Sequence, residues 1–541
     1  MSDAFTDFTW SLPYSSQRQP VLGDAMVATS QPLAAQAGAI MLRRGGSAAD
    51  AAIATAAAMT VLEPTSNGIG ADAFALVWDG DRAHGLNASG RSAAAMSPER
   101  FAGKDQMPTR GWDPVNVPGA VSGWVALWKR FGKLPFADLF EPAIRYARDG
   151  YLVAPLTADL WSRAPKTFST FAEWMRVFTI DGRTPRAGER MRLPDHARTL
   201  ESIALTEGES FYRGELAAKI AEASRNDGGL LAAADLAAHT ADWVQPISVA
   251  YHGVRLHEIP PNGQGIVALM ALEMLRSRDL RQLEADCPDA AHYAIESMKL
   301  AFADAHREVA DPRSMRTSVE ALLDPARLAE QAKRIDPVRA QDFDHGPPNR
   351  GGTILLCAAD ANGQMVSFIQ SNYMGFGSGI VVPGTGIALH NRGANFTLAK
   401  GHPNEIGGSK RPYHTIIPGL VTNDPGAGER ERCLMVFGVM GGFMQPQGHV
   451  QTLLRMVDHR WNPQAALDAP RWQVTQGLEV LIEPGLPPEL YVELRRRGHA
   501  LQVAEARNVN FGRGQAIVRL DDARGYVGGS DLRGDGQVVA V

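Results

Sequence analysis

The feature that most constrains this chain is a junction near residue 350, where the polar, Pro- and Gly-containing stretch RIDPVRAQDFDHGPPNRGG runs straight into the apolar segment TILLCAA. Pro and Gly punctuate regular structure, whereas a short unbroken apolar run reads as a strand buried on both faces. Asp360-Ala361-Asn362-Gly363 then offers a hairpin turn, and residues 364–370 read as the returning strand. A mobile tail is therefore expected to meet a buried hairpin, with Thr353 at its mouth.

Such a junction suits one kind of chemistry. A Thr hydroxyl is a poor nucleophile unless a base lies beside it, and an N-terminal Thr carries its own α-amine for that purpose. Cleavage between Gly352 and Thr353 would create that residue. Gly352 allows backbone conformations that other residues resist, which would help Thr353 attack the Gly352 carbonyl and exchange amide for ester before water releases the new terminus. A Gly-Gly-Thr ahead of a strand is far more often a plain turn, so the residues alone favour that reading.

The rest of the pattern mixes helices and strands. A helix is expected over residues 33–44, stopped by Gly45-Gly46; Ser47-x-x-Asp50 then caps an Ala-rich helix that ends before Pro64. Residues 74–78 are apolar throughout and precede an Asp79-Gly80 turn, so they read as a short buried strand. Over residues 289–309 the periodicity predicts a helix with Ala294, Met298, Ala301, Phe302 and Ala305 on its core face and Glu296, Lys299 and Arg307 elsewhere.

Composition narrows the function. The 541 residues, 45% hydrophobic and 21% charged, can bury one large core, and no linker divides them. With 54 basic against 59 acidic residues and no basic stretch, nucleic acid is not an expected partner. Cys287, Cys357 and Cys433 lack both disulfide-framework and metal-ligand spacing, which fits a reducing compartment and no metal. The first twenty residues carry Asp3 and Asp7 without an apolar core, so no secretory signal is read there and a cytoplasmic location is expected. The longest apolar run, residues 51–62, is too short to span a bilayer, and no membrane anchor is expected. There is no G-x-S-x-G, H-E-x-x-H or P-loop motif, and Met374-Gly375-Phe376-Gly377-Ser378-Gly379 is Gly-rich without opening a helix, so no phosphate cradle or cofactor is expected.

The stretch GGTILLCAADANGQMVSFIQSNYMGFGSGIVVPGTGIALHNRGANF resembles the start of the small subunit of γ-glutamyltranspeptidases. The likeness extends through MVATSQPLAAQAGAIMLRRGGSAADAAIATAAAMTVLEPTSNGIGADAF, VNVPGAVSGW, IESMKLAFADAHREVADP, KRPYHTIIP and GVMGGFMQPQ. It implies an α+β fold, the four-layered αββα sandwich of N-terminal-nucleophile hydrolases. It also implies self-cleavage into a large subunit, residues 1–352, and a small subunit, residues 353–541, that stay together as one compact unit and could assemble further as a homo-oligomer.

By the same resemblance Thr353 is the nucleophile, Gly441-Gly442 supplies oxyanion-hole N–H groups, and Ser371 bears a hydroxyl bonded to the nucleophile; a tight turn and a solvated strand-end Ser are the structural alternatives. Arg91 approximates the Arg that grips a substrate α-carboxylate, against an ordinary loop Arg. Asn395 stands where typical members place an Asp for the α-amino group, and Asn391, otherwise a turn residue, could add an amide contact. His414-Thr415 replaces the usual Ser-Ser pair on the α-carboxylate; His414 reads either as a substrate contact or as a hydrogen-bonded structural ring. These departures resemble a bacterial subgroup that includes glutathione-hydrolase-like proteins and oxamate amidohydrolase. The substrate implied is a small-molecule amide: a γ-glutamyl compound such as glutathione, or alternatively a small carboxylate-bearing amide such as oxamate. A third alternative is an unprocessed, non-catalytic binding protein.

Overall fold

The computed structural model describes residues 18–344, 346, 352–426, 429–505, 508–520 and 525–541. Residues 1–17, which carry the reading of the N-terminus, and residues 345 and 347–351 of the polar tail lie outside the described residues.

Two seven-stranded antiparallel sheets face each other. In the first, the strands run in the order Val21–Gly23, Tyr526–Ser530, Gly514–Arg519, Cys433–Val439, Gly419–Asn423, Val254–Glu258 and Ile247–Tyr251. In the second the order is Gln537–Ala540, Met26–Thr29, Gly352–Ala359, Met365–Tyr373, Asp72–Trp78, Ala83–Asn87 and Asp242–Val244. Helices cover both outer faces, which completes the αββα sandwich.

Side-chain alternation explains why the central strands are apolar on every residue. Leu355, Cys357 and Ala359 pack between the sheets beside Phe74, Leu76 and Trp78, while Ile354, Leu356 and Ala358 face the helices with Ala73, Ala75 and Val77. The helices Pro32–Arg43 and Ala48–Leu62 lie on that second face. Their Ala content permits close approach: a Cβ on Gly38 would sit 2.3 Å from Thr55 Oγ1 and 2.8 Å from the Ala51 carbonyl oxygen. Ser47 and Asp50 form the expected capping box. The helices Gly265–Leu275, Pro288–Glu308 and Met444–Leu453 close the other outer face.

The hairpin turn closes through Asp360 N–H on the Gln364 carbonyl and Gly363 N–H on the Asp360 carbonyl. Its returning strand extends to Tyr373, three residues beyond the expected end, because Ser371 and Gln370 remain paired with Asp72 and Ala73. The long helix differs from expectation in one respect. Glu296 and Lys299, placed off the core face by periodicity, are fully buried as a 2.8 Å ion pair. Remote segments cover them: Gln341 donates its N–H to Glu296 and accepts from Lys299 Nζ, and His499 packs alongside.

Candidate active site

Thr353 opens a central strand and is buried, and the pairing of that strand with Met365–Tyr373 shifts register at a bulge between Gly352 and Ile354. Thr353 and Ser371 meet at this bulge. Thr353 Oγ1 donates to Ser371 Oγ at 3.1 Å, and Ser371 Oγ donates to the Gly352 carbonyl at 2.7 Å. The Tyr373 N–H also donates to Ser371 Oγ, at 2.8 Å, from a residue held at φ 75°. A non-Gly residue at positive φ is strained, and here that turn sets the Ser hydroxyl between Thr353 and Gly352. A Cβ at Gly352 would meet the Gly375 nitrogen at 3.0 Å, so the close approach of these two backbones favours a glycine.

Thr353 opens onto a cavity of about 740 Å³. One wall is the loop Thr65-Ser66 with Met374, Gly375 and Phe376; another is Arg110 and Phe168; a third comes from the small sheet of strands Trp472–Val474, Glu479–Ile482 and Ala500–Val503. Arg513 lies at the floor, paired with Glu63 at 2.7 Å and 3.5 Å from the Thr353 carbonyl oxygen.

Gly441 lines the same cavity. With φ 128° at Gly441 and φ 61° at Gly442, the chain turns from strand Cys433–Val439 into helix Met444–Leu453, a turn that side chains disfavour. Neither N–H donates to a protein acceptor among the described residues. Both lie just ahead of the N-terminus of a ten-residue helix, the positive end of its dipole. Gly442 is further fixed by Gln264 Nε2 on its carbonyl at 2.9 Å.

The remaining sequence candidates sit apart from the cavity lining. Arg91 pairs with Asp311 at 2.9 Å. His414 is fully buried, packs against Phe74 with ring centres 4.6 Å apart and planes tilted by 35°, and donates from Nε2 to Asp72 at 3.0 Å. Burial, reinforced by the Arg392 charge, pushes its pKa down to about 3, so the ring is neutral. Burial would raise the Asp72 carboxyl, but His390, the His414 hydrogen bond and Arg392 together hold it well below the usual carboxylate range. Arg392 also donates to Thr415 Oγ1 at 2.7 Å and lies over the Tyr373 ring. The cluster thus braces the strained turn behind Ser371 from below.

Asn391 accepts from the Met374 N–H and donates to the Thr109 carbonyl, so it ties two lips of the cavity together without lining it. Asn395 gives its carbonyl to Asn404 Nδ2 and has its own Nδ2 buried without a partner in the structure. Sequence reasoning did not single out Arg110, Phe168, Thr65, Ser66 or Arg513. Thr65-Ser66 lay inside a quoted motif and Arg110 five residues before another, but neither place announces a cavity wall.

His292, Glu296 and His499 are the one group among the described residues close enough to share a metal ion. Their ligand atoms are largely engaged elsewhere: His292 bonds His499 and the Asp336 carbonyl, and Glu296 holds Lys299 and the Gln341 N–H. Of these ligand atoms, only His499 Nδ1 is left without a hydrogen-bond partner among the described residues.

The family model described as gamma-glutamyltranspeptidase matches residues 34–541. A Bacillus subtilis protein named glutathione hydrolase-like YwrD proenzyme is 33% identical over 95% of this chain and 98% of its own length. An oxamate amidohydrolase proenzyme of Klebsiella pneumoniae is 34% identical over 94% of this chain and 97% of its own. The crystal structure of a cephalosporin acylase from Bacillus halodurans superposes with a TM-score of 0.94 at 49% identity, covering 99% of both chains.

Proposed function

This chain belongs to the γ-glutamyltranspeptidase family, and from that premise we propose that it cleaves itself between Gly352 and Thr353 and that the exposed Thr353 then hydrolyses a small carboxylate-bearing amide. The observation that carries this reading is the hydrogen-bonded chain from Thr353 Oγ1 through Ser371 Oγ to the Gly352 carbonyl oxygen, at the cavity that Gly352 and Thr353 line.

In self-cleavage, Thr353 Oγ attacks the Gly352 carbonyl carbon, its proton passes to Ser371 Oγ as the Ser371 hydroxyl shares its own with the carbonyl oxygen, and on collapse the proton returns through Ser371 to the departing Thr353 nitrogen. Collapse of the intermediate breaks the Gly352–Thr353 amide and leaves an ester, which water hydrolyses. The two pieces remain associated, because the strand Gly352–Ala359 pairs with Met26–Thr29 and the strand Met365–Tyr373 with Asp72–Trp78. In turnover the free α-amine takes the Thr353 hydroxyl proton and returns it to the departing amine, while the Gly441 and Gly442 N–H groups hold the oxyanion. Water then deacylates Thr353.

As to the acyl group, the three positions that the resemblance implies for the α-carboxylate of an amino-acid head group are engaged internally: Arg91 with Asp311, His414 with Asp72 and Thr415 with Arg392. That favours donors without a free α-amino-acid head, in line with the oxamate and cephalosporin substrates named for two relatives. The family match supports a second reading, hydrolysis of γ-glutamyl compounds such as glutathione. Parallel rates on γ-glutamyl and glutaryl p-nitroanilides separate the two, since these differ only in the α-amino group.

The first test is the intact mass of wild type beside Thr353→Ala, with N-terminal sequencing. The expected result is a wild-type fragment beginning Thr-Ile-Leu-Leu and an uncut variant. If folded wild type stays intact, the nucleophile assignment falls and a binding role takes its place.

A further inference from the structure

Three arginines line the Thr353 cavity: Arg110, Arg163 and Arg513. Two are neutralised, Arg163 by Asp159 and Arg513 by Glu63. Arg110 differs. Among the described residues it has no carboxylate partner. Its Nη1 donates only to the Thr109 carbonyl at 2.8 Å, its Nε is buried without an acceptor, and its Cζ lies 4.9 Å from the centre of the Phe168 ring. Burial draws the guanidinium pKa down with no opposing charge to raise it.

A half-buried, unpaired guanidinium costs free energy unless something compensates it, and its planar fork matches a carboxylate. The loop that carries it is fixed rather than loose. The Gly111 N–H donates to the Ser378 carbonyl at 2.9 Å, and Asn391 bridges the Thr109 carbonyl to the Met374 N–H. Arg110 is thereby locked to the same lip, Met374-Gly375, that borders Thr353. Phe168 and Phe376, edge to face with ring centres 5.7 Å apart, give the cavity that holds both Arg110 and Thr353 an apolar surface.

We infer that Arg110 binds a free carboxylate at the far end of the acyl donor, so that the preferred substrates are monoamides of dicarboxylic acids whose methylene chain lies along Phe168 and Phe376. This inference rests on Thr353 being the acylated residue. It commits to a carboxylate on the acyl side of the scissile bond rather than on the leaving amine.

The test holds the leaving group constant. Processed wild type, Arg110→Gln and Arg110→Lys are assayed on succinyl, glutaryl and adipoyl p-nitroanilides and on the uncharged butyryl and valeryl p-nitroanilides. The expected result is that wild type prefers at least one carboxylated donor over its uncharged counterpart. Arg110→Gln loses at least about tenfold in kcat/KM on that donor, mostly through KM, while uncharged donors change less than about twofold; Arg110→Lys recovers part of the loss. Equal losses on both donor sets, or a wild-type preference for uncharged acyl groups, overturn the Arg110 assignment alone. Hydrolysis by Thr353→Ala at the wild-type rate overturns the nucleophile reading and this inference with it.

Discussion

Ser371 should govern self-cleavage more strongly than it governs stability. In Ser371→Ala the 2.7 Å bond to the Gly352 carbonyl and the 3.1 Å bond from Thr353 both disappear, and the Tyr373 N–H loses its acceptor. A donor aimed at a developing oxyanion is worth roughly 2.7–4 kcal/mol, or about 100- to 1000-fold in rate. An unsatisfied buried N–H costs about 1–3 kcal/mol of stability, short of the ~5–15 kcal/mol that holds a typical domain folded. The variant should therefore fold and accumulate as precursor. Intact mass followed over time gives the cleavage rate, and denaturant unfolding gives the stability. Cleavage within about threefold of wild type, in a variant destabilised by the expected amount, would show that the Ser371 hydroxyl does not support the carbonyl oxygen.

Two further outcomes follow from the packing and the buried rings. Burial pushes His196, His239 and His257 down to about 4, His414 to about 3 and His499 to about 2. Since the unfolded chain takes up these protons near pH 6.5 and the folded chain does not, stability should fall as pH drops from about 6.5 toward 4, by up to about 1.4 kcal/mol per pH unit for each ring. A denaturation midpoint unchanged between pH 8 and pH 5 would contradict this. Gly38→Ala drives a Cβ to 2.3 Å from Thr55 Oγ1, so it should lower stability by about 1–3 kcal/mol despite the higher helix propensity of Ala, read as a lower urea midpoint at constant slope.

The division between sequence and structure follows the range of the forces involved. Local rules carried the capping box at Ser47 and Asp50, the turn at Asp360–Gly363, the core faces of the long helix and the strand that Thr353 opens, because each depends on neighbours within a few residues. The sandwich itself came from resemblance, since periodicity cannot say which buried strands pair across hundreds of residues. Glu296 and Lys299 show why a helical pattern misjudges burial: the groups that cover them arrive from residues 341 and 499. The same applies to the cavity. Arg110, Phe168, Gln473 and Arg513 look like unrelated surface or core positions along the chain, and only folding sets them around one hydroxyl. Conversely, Arg91 and His414 carry functional groups that the sequence leaves free and the tertiary structure engages, because Asp311 and Asp72 reach them from distant segments. Residue type and local spacing were determined by the sequence alone; which charges are paired and which face the cavity was decided by long-range contacts.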